Sequence, residues 1–131
     1  MIVKIYTMTH KKFQEPEDRI YIPLHVGRAK ADNLGYLGDD TGESISEWNN
    51  YYGELTGVYW AWKNEKSADI VGICHYRRFF VNGQSQLLSQ KDYEEILQDY
   101  DIIVPHSVHI DKSYLHYYGD AHNKQDLLLV G

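Results

Sequence analysis

With a single cysteine in 131 residues, the chain can close no internal disulfide and form no Cys-x-x-Cys metal clamp. Cys74 stands in an apolar run, which makes it a small buried thiol and fits a reducing compartment. Long hydrophobic runs are missing too: nothing approaches the roughly 18 consecutive apolar residues of a membrane span. Met1–Thr9 is strand-like and charged at Lys4, unlike a secretory leader, so the expected location is cytoplasmic. Basic charge is scarce. Thirteen Lys and Arg against 19 Asp and Glu leave a net charge of −6, which argues against nonspecific nucleic-acid binding but not against a local basic pocket. No Gly-x-Gly-x-x-Gly follows the first apolar run, which removes the dinucleotide-binding fingerprint. His106, His109, His116 and His122 match no tight zinc spacing. No repeat, low-complexity segment or linker interrupts the chain.

What is present is one domain's worth of chain, long enough for a real core. Its 43% hydrophobic and 24% charged content is that of a globular protein. Twelve tyrosines against three phenylalanines suit clefts for polar rings, though tyrosine also serves cores.

The most informative segment is Asp69–Phe80, DIVGICHYRRFF. A strand-like run ends abruptly in His75, Tyr76, Arg77 and Arg78, and cations there are costly unless they face a cleft or a partner. In open α/β sheets, ligands bind just past the carboxyl ends of strands. Two guanidiniums at such a place suit a phosphate or diphosphate; alternatively they pair with some of the 19 acidic residues. Strand alternation would put His75 and Arg77 on one face and Tyr76 and Arg78 on the other. The first strand, IVKIYTM, also finishes in His10, Lys11 and Lys12.

Between these strands, Ile20–Val26 reads as a strand or extended segment that Pro23 confines to an edge or irregular position. Asn33–Ser46 is a glycine- and aspartate-rich loop. A helix is predicted from Asn49 or Asn50, either of which can cap it, to about Lys66. Leu55, Val58, Tyr59 and Trp62 form its apolar face, and Trp62 is assigned to the core. Gly53 and Gly57 weaken this helix by about 1 kcal/mol each relative to alanine, and allow close packing on the sheet. A short helix follows over Ser89–Gln98, capped by Ser89, with Tyr93, Ile96 and Leu97 inward. Asp101–Pro105 reads as a short buried strand, and Leu127–Val130 is apolar and needs a cover. Strands alternating with helices predict an α/β, Rossmann-like, mostly parallel sheet flanked by helices, with right-handed crossovers.

The segments Thr9–Phe13, Tyr21–Ala29, Leu34–Ser46, Tyr51–Asn64 and Ile70–Phe80 together resemble a bacterial family, and Tyr100–Pro105 and Tyr118–Leu127 continue the match. Its members are domains of unknown function in glycosyltransferases of capsular and exopolysaccharide biosynthesis. The resemblance implies a GT-A-like fold over residues 1–131, of which this chain would be the amino-terminal, donor-binding part. It implies a nucleotide-sugar donor, most simply a UDP-sugar, and a saccharide or lipid-linked saccharide acceptor. Work at the inner face of the membrane, and self-association or docking through Leu127–Val130, would follow.

Most GT-A enzymes hold a divalent ion, Mn or Mg, with an Asp-x-Asp pair. Here the corresponding strand ends in His75-Tyr76-Arg77. Either Arg77, with Arg78 or Lys11, clamps the diphosphate without a metal, or the metal carboxylates lie elsewhere, as in Asp39 and Asp40. Arginine cannot ligate a metal, so the first arrangement explains these residues more economically. Asp39, Asp40, Thr41 and Glu43 are candidates for sugar hydroxyls or a cation, or else form a solvated turn. Glu54 is a candidate buried acid for a sugar hydroxyl or for Arg77, or a favourable charge at a helix start. His10 is placed for the nucleotide, with Lys11 and Lys12 in reach of a phosphate or simply on the surface. His122, with Asp120 and Asp126, is a candidate for the acceptor region, and the catalytic base stays open between a carboxylate and a histidine.

Overall fold

A computed structural model describes residues 1–105. His106, His109, His116, Asp120, His122, Asp126 and Leu127–Val130 lie outside the described residues. Four parallel strands form one sheet in the order β3-β2-β1-β4: β1, Val3–Thr9; β2, Tyr21–His25; β3, Leu37–Gly38; and β4, Ile70–His75. The chain builds outward from β1 through β2 to β3, then crosses back to place β4 on the other side of β1. The predicted parallel α/β sheet is therefore present.

Two apolar layers cover the sheet. On one face Val3, Ile5, Tyr21 and Cys74 pack with Leu88 and Tyr93. On the other, Tyr6, Met8, Leu24 and Val26 pack with Trp60 and Ala61. The period-2 alternation of β1 feeds both layers. Cys74 is the buried thiol expected, within 3.4 Å of the Thr7 hydroxyl. Pro23 is tolerated because β3 pairs only with Leu24 and His25, so at Pro23 strand β2 is still outermost on that side.

The helical segment departs from expectation in two ways. It is broken at Gly53 (φ 55°) into α1, Asn49–Tyr52, and α2, Leu55–Asn64. Asn49 caps nothing by its side chain; its amide instead donates to the Gly53 carbonyl and the Thr56 hydroxyl. The face is also rotated. Thr56, Gly57, Trp60 and Ala61 are buried, while Leu55, Val58 and Trp62 are exposed, Trp62 at 67%. Close approach decides this: a Cβ on Gly57 would lie 2.4 Å from Met8 Sδ and 2.6 Å from Val26 Cγ1. Small residues let α2 sit down on β1 and β2, and Trp60, not Trp62, enters the core.

Strand β4 stops at His75. The chain reverses there, Arg78 N–H donating to the His75 carbonyl at 2.8 Å, so face alternation does not extend to Arg77. Helix α3, Gln90–Asp99, begins as predicted: Ser89 and Asp92 form a reciprocal capping box and Tyr93 is buried. Asp101–Pro105 is not a strand. Ile103 packs on the core, but Ile102 and Val104 are 73% and 67% exposed, and no strand among the described residues pairs with them. Among the described residues no helix is long and apolar enough to cross a membrane.

Candidate ligand site at the carboxyl edge of the sheet

Because β2 lies on one side of β1 and β4 on the other, the strand order reverses at β1 and opens a crevice beyond the strand ends. Thr9 shapes the first wall. Its hydroxyl donates to the Lys11 carbonyl at 2.6 Å and accepts the Lys11 N–H at 3.2 Å, a local turn that leaves His10 and Lys11 exposed.

The β4 turn forms the opposite wall. Arg77 N–H donates to His75 Nδ1 at 3.1 Å, which places the remaining ring proton on Nε2, 3.1 Å from Glu54 Oε1. Burial pushes the His75 pKa down; Glu54 opposes this, while Arg77, Arg78 and His10 add to it. His75 is thus a neutral donor that fixes Glu54. Glu54 itself is half-exposed and holds His75, so it is neither a buried acid nor a partner of Arg77; it stands at the start of α2, in keeping with the alternative of a charge at a helix start.

Tyr76 sits between the walls. Its N–H donates to the Met8 carbonyl at 3.0 Å and its ring is buried. The ring of His75 lies 4.4 Å from it, His10 5.6 Å and Phe13 5.7 Å. Two cations flank it, Arg77 Cζ at 5.3 Å and Lys11 Nζ at 5.6 Å from the centroid. Beyond Phe13, Lys12 Nζ stands 4.9 Å over Tyr36. Among the described residues, Lys11, Lys12, Arg77 and Arg78 make no ion pair with a carboxylate. Glu54 reaches this edge, yet it bonds His75 and neither arginine.

The structure brings together His10, Lys11, Glu54, His75, Arg77 and Arg78, and assigns Asp39 different work. Asp39 is fully buried, and its carboxylate accepts from Gly27 N–H (2.9 Å), Arg28 N–H (3.2 Å), Ser46 Oγ and Thr56 Oγ1 (2.6 Å). Four donors occupy its lone pairs, so it ties β2, the glycine-rich loop and α2 together instead of facing a ligand. Asp40 is exposed, and Thr41 accepts from Trp60 Nε1 at 2.8 Å. Glu43 N–H is held by Asn64. These residues do not fit a metal: one carboxylate is saturated, and no three His, Cys, Asp or Glu side chains converge among the described residues. A cleft of about 530 Å³ runs past Glu15–Pro23, but Glu15, Glu17 and Asp18 make it unsuited to an anion.

Sequence reasoning missed His25. It ends β2, pairs in register with Thr9, is 1% exposed, and its Nδ1 has no hydrogen-bond partner among the described residues. The available signal was a histidine closing an apolar strand, as His10 and His75 do.

Fold and edge together define a parallel α/β domain with a cationic, aromatic-lined crevice at its switch point. The chain belongs to the family described as a domain of unknown function, DUF4422, whose model matches residues 4–131. Among solved structures it is similar to the WbbM bifunctional glycosyltransferase in its apo form, at 39% identity and a TM-score of 0.55. That match covers 75% of this chain and 20% of the other, so the chain spans about a fifth of that protein's length. No curated protein matches it. The domain is glycosyltransferase-like.

Proposed function

We propose that this chain is the donor-binding part of a glycosyltransferase of capsular or exopolysaccharide synthesis, and that it binds a nucleoside-diphosphate sugar, most simply a UDP-sugar. The observation that carries this is the convergence of Lys11 and Arg77 on Tyr76 at the switch point, unpaired by any described carboxylate. In glycosyl transfer an acceptor oxygen bonds to the anomeric carbon as its proton passes to a base, a carboxylate or a histidine, the bond to the distal phosphate breaks, and the nucleoside diphosphate leaves with the electron pair. Arg77, Arg78 and Lys11 offset the charge that develops on that leaving group, the role a metal serves elsewhere. His10 borders the nucleotide. Glu54, oriented by His75, accepts from a sugar hydroxyl.

The acceptor is a saccharide or lipid-linked saccharide, met at the cytoplasmic face of the membrane, and a homo-oligomer belongs to the same proposal. Calorimetric titration with UDP, with and without manganese, tests it. The expected result is saturable binding that survives chelation and weakens at least tenfold in Arg77→Ala, or about 1.4 kcal/mol. Binding that requires manganese would overturn the metal-free clamp. Binding without transfer would favour a non-catalytic nucleotide- or carbohydrate-binding module.

A further inference from the structure

The clamp accounts for the cations at the ends of β1 and β4 but not for His25. Alternation along β2 sends Leu24 and Val26 to the face covered by α2, and His25 to the opposite face beside Thr9. The other deeply buried polar groups of this edge are satisfied: Thr9 by Lys11, Asp39 by four donors, Thr56 by Asp39. His25 Nδ1 is the exception among the described residues. Burial holds its pKa below the usual histidine range, reinforced by Arg28 and His10 and opposed by Asp39 and Asp40. A neutral imidazole has no charge to offer a phosphate, but it can donate or accept one directed hydrogen bond. Its position separates it from the clamp as well. β2 and β4 flank β1, so their ends lie two strand spacings apart, about 10 Å. A nucleoside and its first phosphates bridge such a span.

We propose that His25 is a ligand-binding residue whose Nδ1 hydrogen-bonds the nucleoside half of the bound nucleotide while Arg77, Arg78 and Lys11 hold the diphosphate. This rests on the nucleotide reading above and deepens it by giving the site a nucleoside subsite. At 1% exposure the imidazole is reached only when the chain over the strand ends parts, so binding and a small opening are one event.

The test is imidazole ¹⁵N NMR of the full chain titrated with UDP, GDP and inorganic diphosphate, together with the affinities of His25→Asn and His25→Leu. A nucleotide should shift the His25 ring nitrogens, and inorganic diphosphate should leave them unmoved while still displacing the His10 signal. His25→Asn, which keeps a polar atom near the Nδ1 position, should bind within about threefold of the parent. His25→Leu should lose about tenfold for the nucleotide, or 1.4 kcal/mol, and nothing for diphosphate. Nucleotide binding with His25 nitrogens unmoved overturns the proposal, as does an equal loss for both ligands, the mark of a purely structural histidine. Failure of all three ligands to bind the folded chain overturns the nucleotide reading itself, and this proposal with it.

Discussion

Two regions of the same sheet edge are built on opposite plans. At Asp39 the carboxylate has all its partners: it collects two backbone N–H groups and two hydroxyls from three segments of the chain. Around Tyr76, at the ends of β1 and β4, cations are gathered without a carboxylate partner among the described residues, in a chain whose net charge is −6. A protein with so many acids would find it easy to neutralise Arg77 and Arg78. Saturation marks the scaffold, and unpaired charge held beside that scaffold marks the place where a ligand supplies the missing partner.

The largest effect is expected from breaking the saturated side. Asp39→Ala strands four donors, two of them fully buried, and each buried donor costs about 1–3 kcal/mol when unsatisfied. Even with relaxation, a loss of at least about 3 kcal/mol is expected in chemical denaturation. A variant within 1 kcal/mol of the parent would show that the loop does not depend on this carboxylate. Next comes the close contact that lets Thr56 reach Asp39. Gly57→Leu must push Met8 and Val26 aside, and overpacking of this kind costs about 1–3 kcal/mol. Leu55→Ala, on the exposed face of the same helix, should stay within about 0.5 kcal/mol. Equal losses at both positions would mean that α2 is rotated from the orientation described.

That rotation is where the sequence was least legible. Leu55, Val58, Tyr59 and Trp62 make the more apolar stripe, and hydrophobic periodicity alone selects them. The stripe that faces the sheet contains a threonine, a glycine and an alanine, chosen by distance of approach and by one buried hydrogen bond. Neither has a signature in hydropathy. Elements set by local chemistry read well: β1 and β4 from their apolar runs, and α3 from Ser89 and Asp92. The cations at the strand ends were also legible, since apolar strands rarely finish that way. His25 and the commitment of Asp39 were not, because both depend on what the fold brings beside them.

A smaller effect comes from a second saturated carboxylate, at the other end of β1. Burial alone would raise the Glu65 pKa, but hydrogen bonds from Tyr6, Ala68 N–H, Lys4 and Ser67 N–H outweigh it and hold it down at about 2. Its folded pKa lies below the unfolded value of 4.5. Glu65 therefore stabilises the fold fully above pH 4.5, and that contribution is lost as pH falls from there toward 2. Glu65→Gln should cost about 1.5 kcal/mol at neutral pH and flatten the acid limb of the stability curve. An unchanged acid limb would remove Glu65 from the scaffold.

The smallest expected change sharpens the comparison most. Arg77→Ala and Arg78→Ala remove exposed cations that no described carboxylate pairs with, so each should alter stability by no more than about 0.5 kcal/mol. The same substitutions are expected to weaken UDP binding at least tenfold at Arg77. A residue costly to the fold and irrelevant to the ligand belongs with Asp39; one irrelevant to the fold and costly to the ligand belongs to the site. If Arg77→Ala instead destabilises the protein by 2 kcal/mol or more, its guanidinium is structural, and the cationic edge is an extension of the scaffold in place of a binding surface.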